Sequence, residues 1–292
     1  MTIMTNSDIL ISWIIIGRDW TDNLIDSLNK QSFNPDIIEL IIIDDASSNH
    51  STNHFENIQF KNKKIIKLDQ QSGRCVARNV GIKIAAGKFC VFTNSNTIPK
   101  GNFIKKYIDV LSDSDRDGFA GVIHYDSEDV TFEKYLNNNK RGLKKYRLND
   151  VLPIAYVLFG NCAIKTSLIN QVGGFNEKLY GYGGEEIDLL YRINHKHNLK
   201  IHKINTEVLR HHHPDFNTHC QRLIKFGSTN FKSLPFKIQK NIIPGSLLKI
   251  CIILPVSALF YIGLYIKDNI EGDSFFIMKA VMGLSILKGY KS

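Results

Sequence analysis

The stretch Gly181-Tyr182-Gly183-Gly184-Glu185-Glu186-Ile187-Asp188 carries the densest chemistry in the chain. Its glycines allow a backbone to approach a ligand closely. Two adjacent carboxylates follow, Glu185 and Glu186, with Asp188 just beyond. Leu189, Leu190, Tyr191, Arg192 and Ile193 continue with the spacing of an amphipathic helix. Acids in a first helical turn are favoured by the helix dipole. A helix also fixes their direction, as a general base requires. Taken alone, the same residues read equally well as a charged helix N-terminus. The elements around them must decide.

Ile9 to Ile16 is a short β-branched apolar run, as expected of a strand buried on both faces. Asp19 to Asn29 follows with helical spacing at Trp20, Leu24, Ile25 and Leu28, capped by Thr21 or Asp19. Ile37 to Ile43 is a second buried strand and ends in Asp44-Asp45-Ala46-Ser47-Ser48. Ile65 to Leu68 is a weaker strand, Gly73 to Ala86 a helix, and Phe89 to Thr93 another buried strand, followed by Asn94, Ser95 and Asn96. Strands and helices alternating at this pace give a parallel sheet with right-handed crossovers. Ligands then sit beyond the carboxyl ends of the strands, so Asp44, Asp45, Asn94 and Asn96 are expected at one crevice.

After Pro99 the pattern loosens. Asn102 to Leu111 reads as a helix and Gly118 to Tyr125 as a strand. Phe132 to Arg147 reads as a helix or a mobile loop, Ile154 to Ile164 as a strand, and Ser167 to Val172 as a short helix ended by Gly173-Gly174. Lys200 to Ile204 is a further strand, and His211-His212-His213-Pro214 is expected to close the globular part. His219 to Ser233 is basic and amphipathic.

The chain has 292 residues, 43% of them apolar, and a formal net charge of +9. This composition supports a sizeable core and excludes global disorder. The positive balance points to an anionic partner: nucleotide phosphates, an anionic membrane or nucleic acid. No compact basic-aromatic motif favours nucleic acid. Cys75, Cys90, Cys162, Cys220 and Cys251 are scattered without a CxxC pair, which suits a reducing compartment and argues against a zinc ribbon. The polar start of the chain, with only the short run Ile9 to Ile16 after it, does not read as a secretory signal.

Ile250 to Ile266 is a run of 17 uncharged residues between Lys249 and Lys267. As a helix it would be about 25 Å long, slightly short of a bilayer core, and Pro255 would kink it. Phe275 to Leu287 is a second apolar stretch. Three readings stand: a tilted or re-entrant membrane helix, an in-plane amphipathic anchor with snorkelling lysines, or a hairpin packed on the domain.

Five motifs in order give the chain a resemblance. They are Ile43-Asp44-Asp45-Ala46-Ser47; Gly73-Arg74-Cys75-Val76-Ala77-Arg78-Asn79-Val80-Gly81; Phe92-Thr93-Asn94-Ser95-Asn96-Thr97-Ile98-Pro99; Gly173-Gly174-Phe175-Asn176-Glu177 running into GYGGEEID; and His211 to Pro214. Over residues 9 to about 230 the chain resembles the family 2 inverting glycosyltransferases of GT-A fold, with a galactosyltransferase-like GGE[ED] acceptor motif. The resemblance implies an α/β fold: a Rossmann-like nucleotide-sugar domain on a mostly parallel central sheet, with a C-terminal apolar helical segment. It divides the chain into a transferase domain over 1–233, with a nucleotide-binding half (about 1–100) and an acceptor half (101–233), and membrane-associating helices over 234–292.

The same resemblance assigns roles. Glu186 is the candidate general base, Glu185 a ligand of sugar or acceptor hydroxyls, and Asp188 an orienting group for the acceptor. Tyr182 offers an aromatic face to a sugar ring, and Gly183 and Gly184 let the backbone approach. Asp44 and Asp45 can accept the imide or ribose hydrogen bonds of a uridine, or simply make a turn. Arg74 and Arg78, four apart on one helix face, can meet the base or the diphosphate, or form a solvated basic face. Asn79 and Gly81 serve helix–sheet packing, and Asn161 is a candidate contact for the donor sugar.

The family normally carries two aspartates around one residue in the third motif, and they hold a divalent cation. This chain has Asn94-Ser95-Asn96. An amide oxygen can ligate Mg²⁺ or Mn²⁺ but brings no charge. Three explanations follow: a weak metal site at Asn94 and Asn96 helped by His211 or His213; a leaving group stabilised without metal by Arg74, Arg78 or other basic residues; or lost activity. If the segment is extended, at most two of the three histidines His211, His212 and His213 face the site, and surface or packing histidines before a proline are the alternative.

The functional expectation is transfer of a sugar, with inversion, from a nucleotide-diphosphate donor, UDP-linked by resemblance. The acceptor is a hydroxyl of a glycan or lipid-linked glycan, and the work is done at the cytoplasmic face of a membrane through the C-terminal segment, as in polysaccharide biosynthesis. The alternative is an inactive relative that binds a nucleotide sugar, a glycan or a partner transferase.

Overall fold

The computed structural model describes residues 9–18, 20–48, 53–112, 114–250, 255–269 and 275–292. Asp19, named above as a cap, and Cys251 lie outside them. An eight-stranded sheet organises the molecule in the order β3-β2-β1-β4-β7-β6-β8-β5. The first four are β3 (Lys63–Lys67), β2 (Ile38–Asp44), β1 (Ile11–Gly17) and β4 (Phe89–Asn94), all parallel. Next come β7 (Cys162–Lys165), β6 (Gly118–Ser127), β8 (Ile201–His213) and β5 (Thr97–Pro99). β6 and β8 are parallel, while β7 and β5 run against their neighbours, so most of the sheet shares one direction.

The unbroken apolar runs of β1 and β2 have their cause in burial on both faces. Ile14, Ile16, Ile41 and Ile43 pack toward α2 (Arg74–Ile84) and α6 (Glu185–His197). Trp13, Ile15, Leu40 and Ile42 pack the other way, toward α1 (Asp22–Asn29) and α3 (Phe103–Leu111). Each such isoleucine contributes roughly 1.5–3 kcal/mol by leaving water. α2 lies close on the sheet because of Gly81, where a Cβ would come within 2.7 Å of Ile14 Cγ2.

Two expectations fail in the acceptor half. Ile154 to Ile164 is not one strand: only Cys162–Lys165 pairs, after a single 3-10 turn at Ile154–Tyr156. The apolar residues of the run go into the core as Val157 and Phe159 instead of into a ladder. β8 also does not stop near Ile204. It continues through the histidines to His213, with register shifts opposite Ala120/Val122 and Tyr125/Ser127. Phe132 to Arg147 resolves into α4 (Val130–Asn137), capped by Asp129, and a 3-10 turn at Gly142–Lys145. Further along, α5 (Thr166–Gln171) follows β7.

The C-terminal part is helical: α7 (Phe216–Ser228), α8 (Asn230–Ser233), α9 (Phe236–Ile242), α10 (Gly245–Ile250), α11 (Val256–Asn269) and α12 (Phe275–Lys291). The run Ile250 to Ile266 falls partly outside the described residues, between α10 and α11. No helix among the described residues is long and apolar enough to cross a membrane. α12 instead packs on α7 with backbone nearly touching backbone. A Cβ at Gly227 would lie 2.1 Å from the Ile286 carbonyl oxygen, and one at Gly289 would lie 1.8 Å from that of Ile224. Phe275 and Tyr290 add ring contacts to Tyr135 and Phe231. The hairpin packed on the domain is therefore the reading that these helices adopt. One apolar face of α11 stays outside, with Tyr261, Ile262, Tyr265 and Ile266 exposed beside Phe276 of α12.

Candidate active site

The sheet's switch point creates the cleft. Beyond the ends of β1 and β4 lies a cavity of about 350 Å³, bounded by Gly17, Arg74, Asn94, Asn96, Arg210 and the loop Tyr182 to Glu186. The strand ends are locked together below it. Ser95 N donates to Ile16 O at 2.9 Å, and Ser95 Oγ donates to Arg18 O at 2.8 Å. Gly17 is required there, because a Cβ would come within 2.1 Å of Ser95 Oγ. Thr97 Oγ1 closes the next turn by accepting from Asn94 N and donating to Asn94 O, both at 2.8 Å. Ser95 and Thr97 are thus committed to the turn, and Asn94 and Asn96 face the cleft.

Opposite them, Gly183 and Gly184 take φ of +76° and +88°, a region that glycine occupies without strain. Asn230 clamps this loop: its Nδ2 donates to Gly183 O at 2.7 Å and its Oδ1 accepts from Gly181 N at 3.2 Å. Phe226 lies beneath both glycines, and Tyr182 stands at the rim with the Arg74 guanidinium 5.6 Å over its ring.

The loop delivers two carboxylates onto the start of α6. Glu185 is buried and pairs with Arg74 at 3.1 Å and with Arg78 at 3.3 Å. Glu186 pairs with Arg78 at 3.0 Å and keeps partial access to the cleft. Arg78 itself is buried, with its guanidinium 5.4 Å from the Phe159 ring and 5.1 Å from that of Phe175. Burial holds the Glu186 carboxyl above the usual carboxylate range; Arg78 pulls it down and the neighbouring Glu185 pushes it up. A carboxylate with raised basicity, fixed at a cleft wall, is equipped to take a proton.

Several expected residues sit elsewhere. Arg78 does not line the cleft: as a buried counter-charge it orients the glutamates, while Arg74 alone of the pair reaches the cavity. Asp188 also turns away. It accepts from Arg192 Nε at 2.9 Å, and Arg192 in turn donates to Val172 O and Gly174 O at 2.7 Å, so this acid ties α6 to the glycine turn. Asn79 pins the same turn from the other side, donating to Phe175 O at 3.0 Å and accepting from Phe175 N at 2.8 Å. Asn161 is fully engaged inside the sheet by Tyr107 Oη, Thr206, and Val122 O, and cannot reach a donor sugar.

The paired aspartates divide their work. Asp45 accepts from the amides of Ser72 and Gly73 at 2.6 and 3.0 Å, and so fixes the entry to α2. Asp44 accepts through Oδ1 from Trp20 Nε1 at 3.0 Å and from Ser47, while its buried Oδ2 has no partner. Neither lines the cavity.

The histidines do not form a metal cluster. His213 is buried against Tyr125, Phe132 and His219. Burial, then Arg210 and His219, push its imidazole down to about 2, so it remains neutral packing. His211 sets its Nδ1 2.7 Å from Asp126. Among the described residues, no group of three or more His, Cys, Asp or Glu side chains could hold a metal ion. Asn94 and Asn96 bring no charge of their own, cations stand close by as Arg78 at 3.5 Å from Asn94 Oδ1 and Arg210 on the cleft wall, and the carboxylate of Glu186 is already taken by Arg78. This donor set does not fit the divalent cation that the resemblance implies.

Sequence reading missed Arg210, Asn230, Phe159 and Phe175. Arg210 faces the cleft because β8 runs on past Ile204, pairing Thr97 with Arg210. Its signal was the alternation of buried Thr206 and Val208 that continues the strand. Asn230 had no local signal, since its partners are 47 and 49 residues away.

Comparison with known proteins accords with this geometry. The family model described as glycosyl transferase family 2 matches residues 18–173, and that of the N-terminal domain of galactosyltransferase matches residues 146–215. Glycosyltransferase GlyG of Streptococcus pneumoniae is 24% identical over 148 residues, covering 46% of this chain and 49% of its own. The chain thus spans about half the length of that relative. Among solved structures, residues 1–349 of S. aureus TarS in complex with UDP give a TM-score of 0.58 at 15% identity, covering 97% of this chain and 89% of that one. The mannosyltransferase PcManGT of Pyrobaculum calidifontis, in complex with GDP-Man and Mn²⁺, gives 0.62 at 12% identity, covering 95% and 85%.

Proposed function

The chain belongs to glycosyl transferase family 2, and from that premise we propose that it transfers a sugar, with inversion, from a nucleotide-diphosphate donor to an acceptor hydroxyl, with Glu186 as the base. The observation that carries this reading is the placement of Glu186. Its carboxylate stands at the cleft wall beside the Gly183-Gly184 loop, braced by Arg78 and raised in basicity by burial. In the step, the acceptor oxygen attacks the anomeric carbon as its proton passes to Glu186. The bond from that carbon to the diphosphate oxygen breaks, and its electron pair leaves with the nucleoside diphosphate. Tyr182 supplies a ring face for the sugar or acceptor, and Arg74 a charge at the cleft.

A screen of UDP- and GDP-sugars with glycan and lipid-linked acceptors tests this. Turnover in the full chain that is abolished by Glu186→Gln, with nucleotide binding retained, is the expected result. Unchanged turnover in that variant removes Glu186 from the role of base. The acceptor's setting follows from α11, whose exposed aromatic and aliphatic face beside lysines suits contact with a membrane surface. Flotation with anionic vesicles, lost on changing Tyr261, Tyr265 and Phe276 to serine, tests that part. The second reading, a binding module without turnover, is favoured by Asn94 and Asn96. Nucleotide binding without turnover for any donor would establish it.

A further inference from the structure

We propose that Arg210 replaces the metal: its guanidinium, with Arg74, binds the donor's diphosphate and stabilises the charge that develops on the leaving oxygen. The inference rests on the nucleotide-sugar reading above.

Three observations converge on it. First, the position from which the resemblance expects two aspartates and a cation presents two neutral amides, so no negative pair is there to be offset. Second, Arg210 reaches that same spot. β5 and β8 pair Thr97 with Arg210, and His211 N donates to Asn96 O at 2.9 Å, which places Arg210 directly across the strand from the asparagine turn and on the cleft wall. A cation beside a metal site would be repelled by the metal; beside Asn94 and Asn96 it is not.

Third, Arg210 is uncommitted. Arg78 is neutralised by Glu185 and Glu186, and Arg74 by Glu185, but among the described residues Arg210 has no carboxylate partner, and its buried Nε has no hydrogen-bond partner. A buried guanidinium N–H without an acceptor costs about 1–3 kcal/mol, so this side chain is not held by the protein's own acceptors. Arginine also suits the task, since its planar fork of donors matches phosphate oxygens. Here a fixed cation does what a divalent ion does elsewhere: it faces the charge that grows as the bond between the anomeric carbon and the oxygen breaks.

The test is calorimetric titration of UDP and of uridine into the full-length protein and its Arg210→Ala and Arg210→Lys variants, in EDTA and in Mn²⁺. Transfer rates are measured under the same conditions. Expected are wild-type UDP binding and transfer that survive EDTA, a loss of UDP affinity of at least tenfold in Arg210→Ala with uridine affinity unchanged, and a partial return in Arg210→Lys. A hundredfold loss of transfer in Arg210→Ala should accompany it. UDP binding in EDTA that is equal in wild type and Arg210→Ala, or wild-type transfer that requires Mn²⁺, overturns the role of Arg210 while leaving the donor reading intact. A wild-type protein that binds neither UDP nor uridine in either medium overturns the donor reading and this inference together.

Discussion

The two walls of the cleft are built on opposite principles. The carboxylate wall is over-determined: Glu185 and Glu186 are held by Arg78, Arg78 is sandwiched by Phe159 and Phe175, and the loop before them is clamped by Asn230. The asparagine wall is held from below by the hydroxyls of Ser95 and Thr97, with one long contact from Arg78 to Asn94, and among the described residues the Nε of Arg210 is left unpaired. A wall that must hold a proton acceptor in one geometry is stiffened from behind. A wall that receives a charged ligand keeps its donors open for it.

The largest expected effect comes from breaking the stiff wall at its root. Arg78→Ala leaves Glu185 buried with only the half-exposed Arg74 as partner. Losing one member of such a pair costs about 3–5 kcal/mol. For a chain of this size that lowers the melting temperature by roughly 10 °C, and transfer should vanish with it. A melting curve unchanged by Arg78→Ala would refute the idea that this wall depends on buried charge.

Glu186→Gln separates chemistry from stability on the same wall. Transfer should fall about 10³-fold, the range of a lost general base. Stability should not fall. The folded pKa of Glu186 is raised, so the folded state favours the protonated carboxyl more than the unfolded state does. The charged form is therefore a burden at neutral pH, and a neutral glutamine relieves it. The variant's advantage in melting temperature should shrink as pH drops through the raised value, where the wild-type group is already neutral. By the same shift, the acidic limb of the wild-type rate profile should lie above the ordinary carboxylate range.

The open wall is sharpened by adding charge to it. Asn94→Asp with Asn96→Asp should create Mn²⁺ binding, visible by calorimetry and absent in the wild type, and should make transfer sensitive to EDTA. If the double variant still binds no metal, the two amides are not what sets the wall's preference. The smallest effect is expected at Asp188→Asn, which keeps the shape but weakens the tie to Arg192. A loss of about 1 kcal/mol in denaturant unfolding, with transfer nearly normal, separates its packing role from that of the neighbouring glutamates.

A pH effect lies outside both walls. His213 and His219 are pushed down to about 2 and about 3, chiefly by burial. Below their unfolded values the unfolded chain takes up protons that the folded chain refuses. Stability should therefore decline as pH falls from about 6.5, by about 1 kcal/mol per histidine per pH unit. A flat melting temperature between pH 7 and 5 would contradict the neutral packing of this pair.

The nucleotide-binding half was legible because its signals are local and periodic. The apolar runs of β1, β2 and β4 and the helical spacing of α2 placed the crevice correctly at Asn94 and Asn96 beyond β4, though not at Asp44 and Asp45 beyond β2. The motif GYGGEEID located the carboxylates for the same reason. What could not be read was direction and partnership. Arg74 and Arg78 occupy one helix face, yet one reaches the cleft and the other is buried beneath it, a distinction that Phe159 and Phe175 make from about 80 and 100 residues away in sequence. Asp188 sits two residues from Glu186 but points toward Arg192, because helical geometry turns it some 200° from the base. The C-terminal apolar runs were ambiguous by nature: a helix face that packs on protein and one that meets lipid have the same composition.

The near-touching backbones of α7 and α12 bear on how this protein can be handled. Phe226, under the Gly183-Gly184 loop, is the neighbour of Gly227, the residue pressed against Ile286. A shortened version that stops before Pro244, the obvious cut for removing an oily tail, would strip the backing from α7 and let that floor sag. Such a version should express as a folded nucleotide binder at best, with the acceptor side slack. Attempts to raise its yield are better directed at the exposed tyrosines of α11 than at the end of the chain.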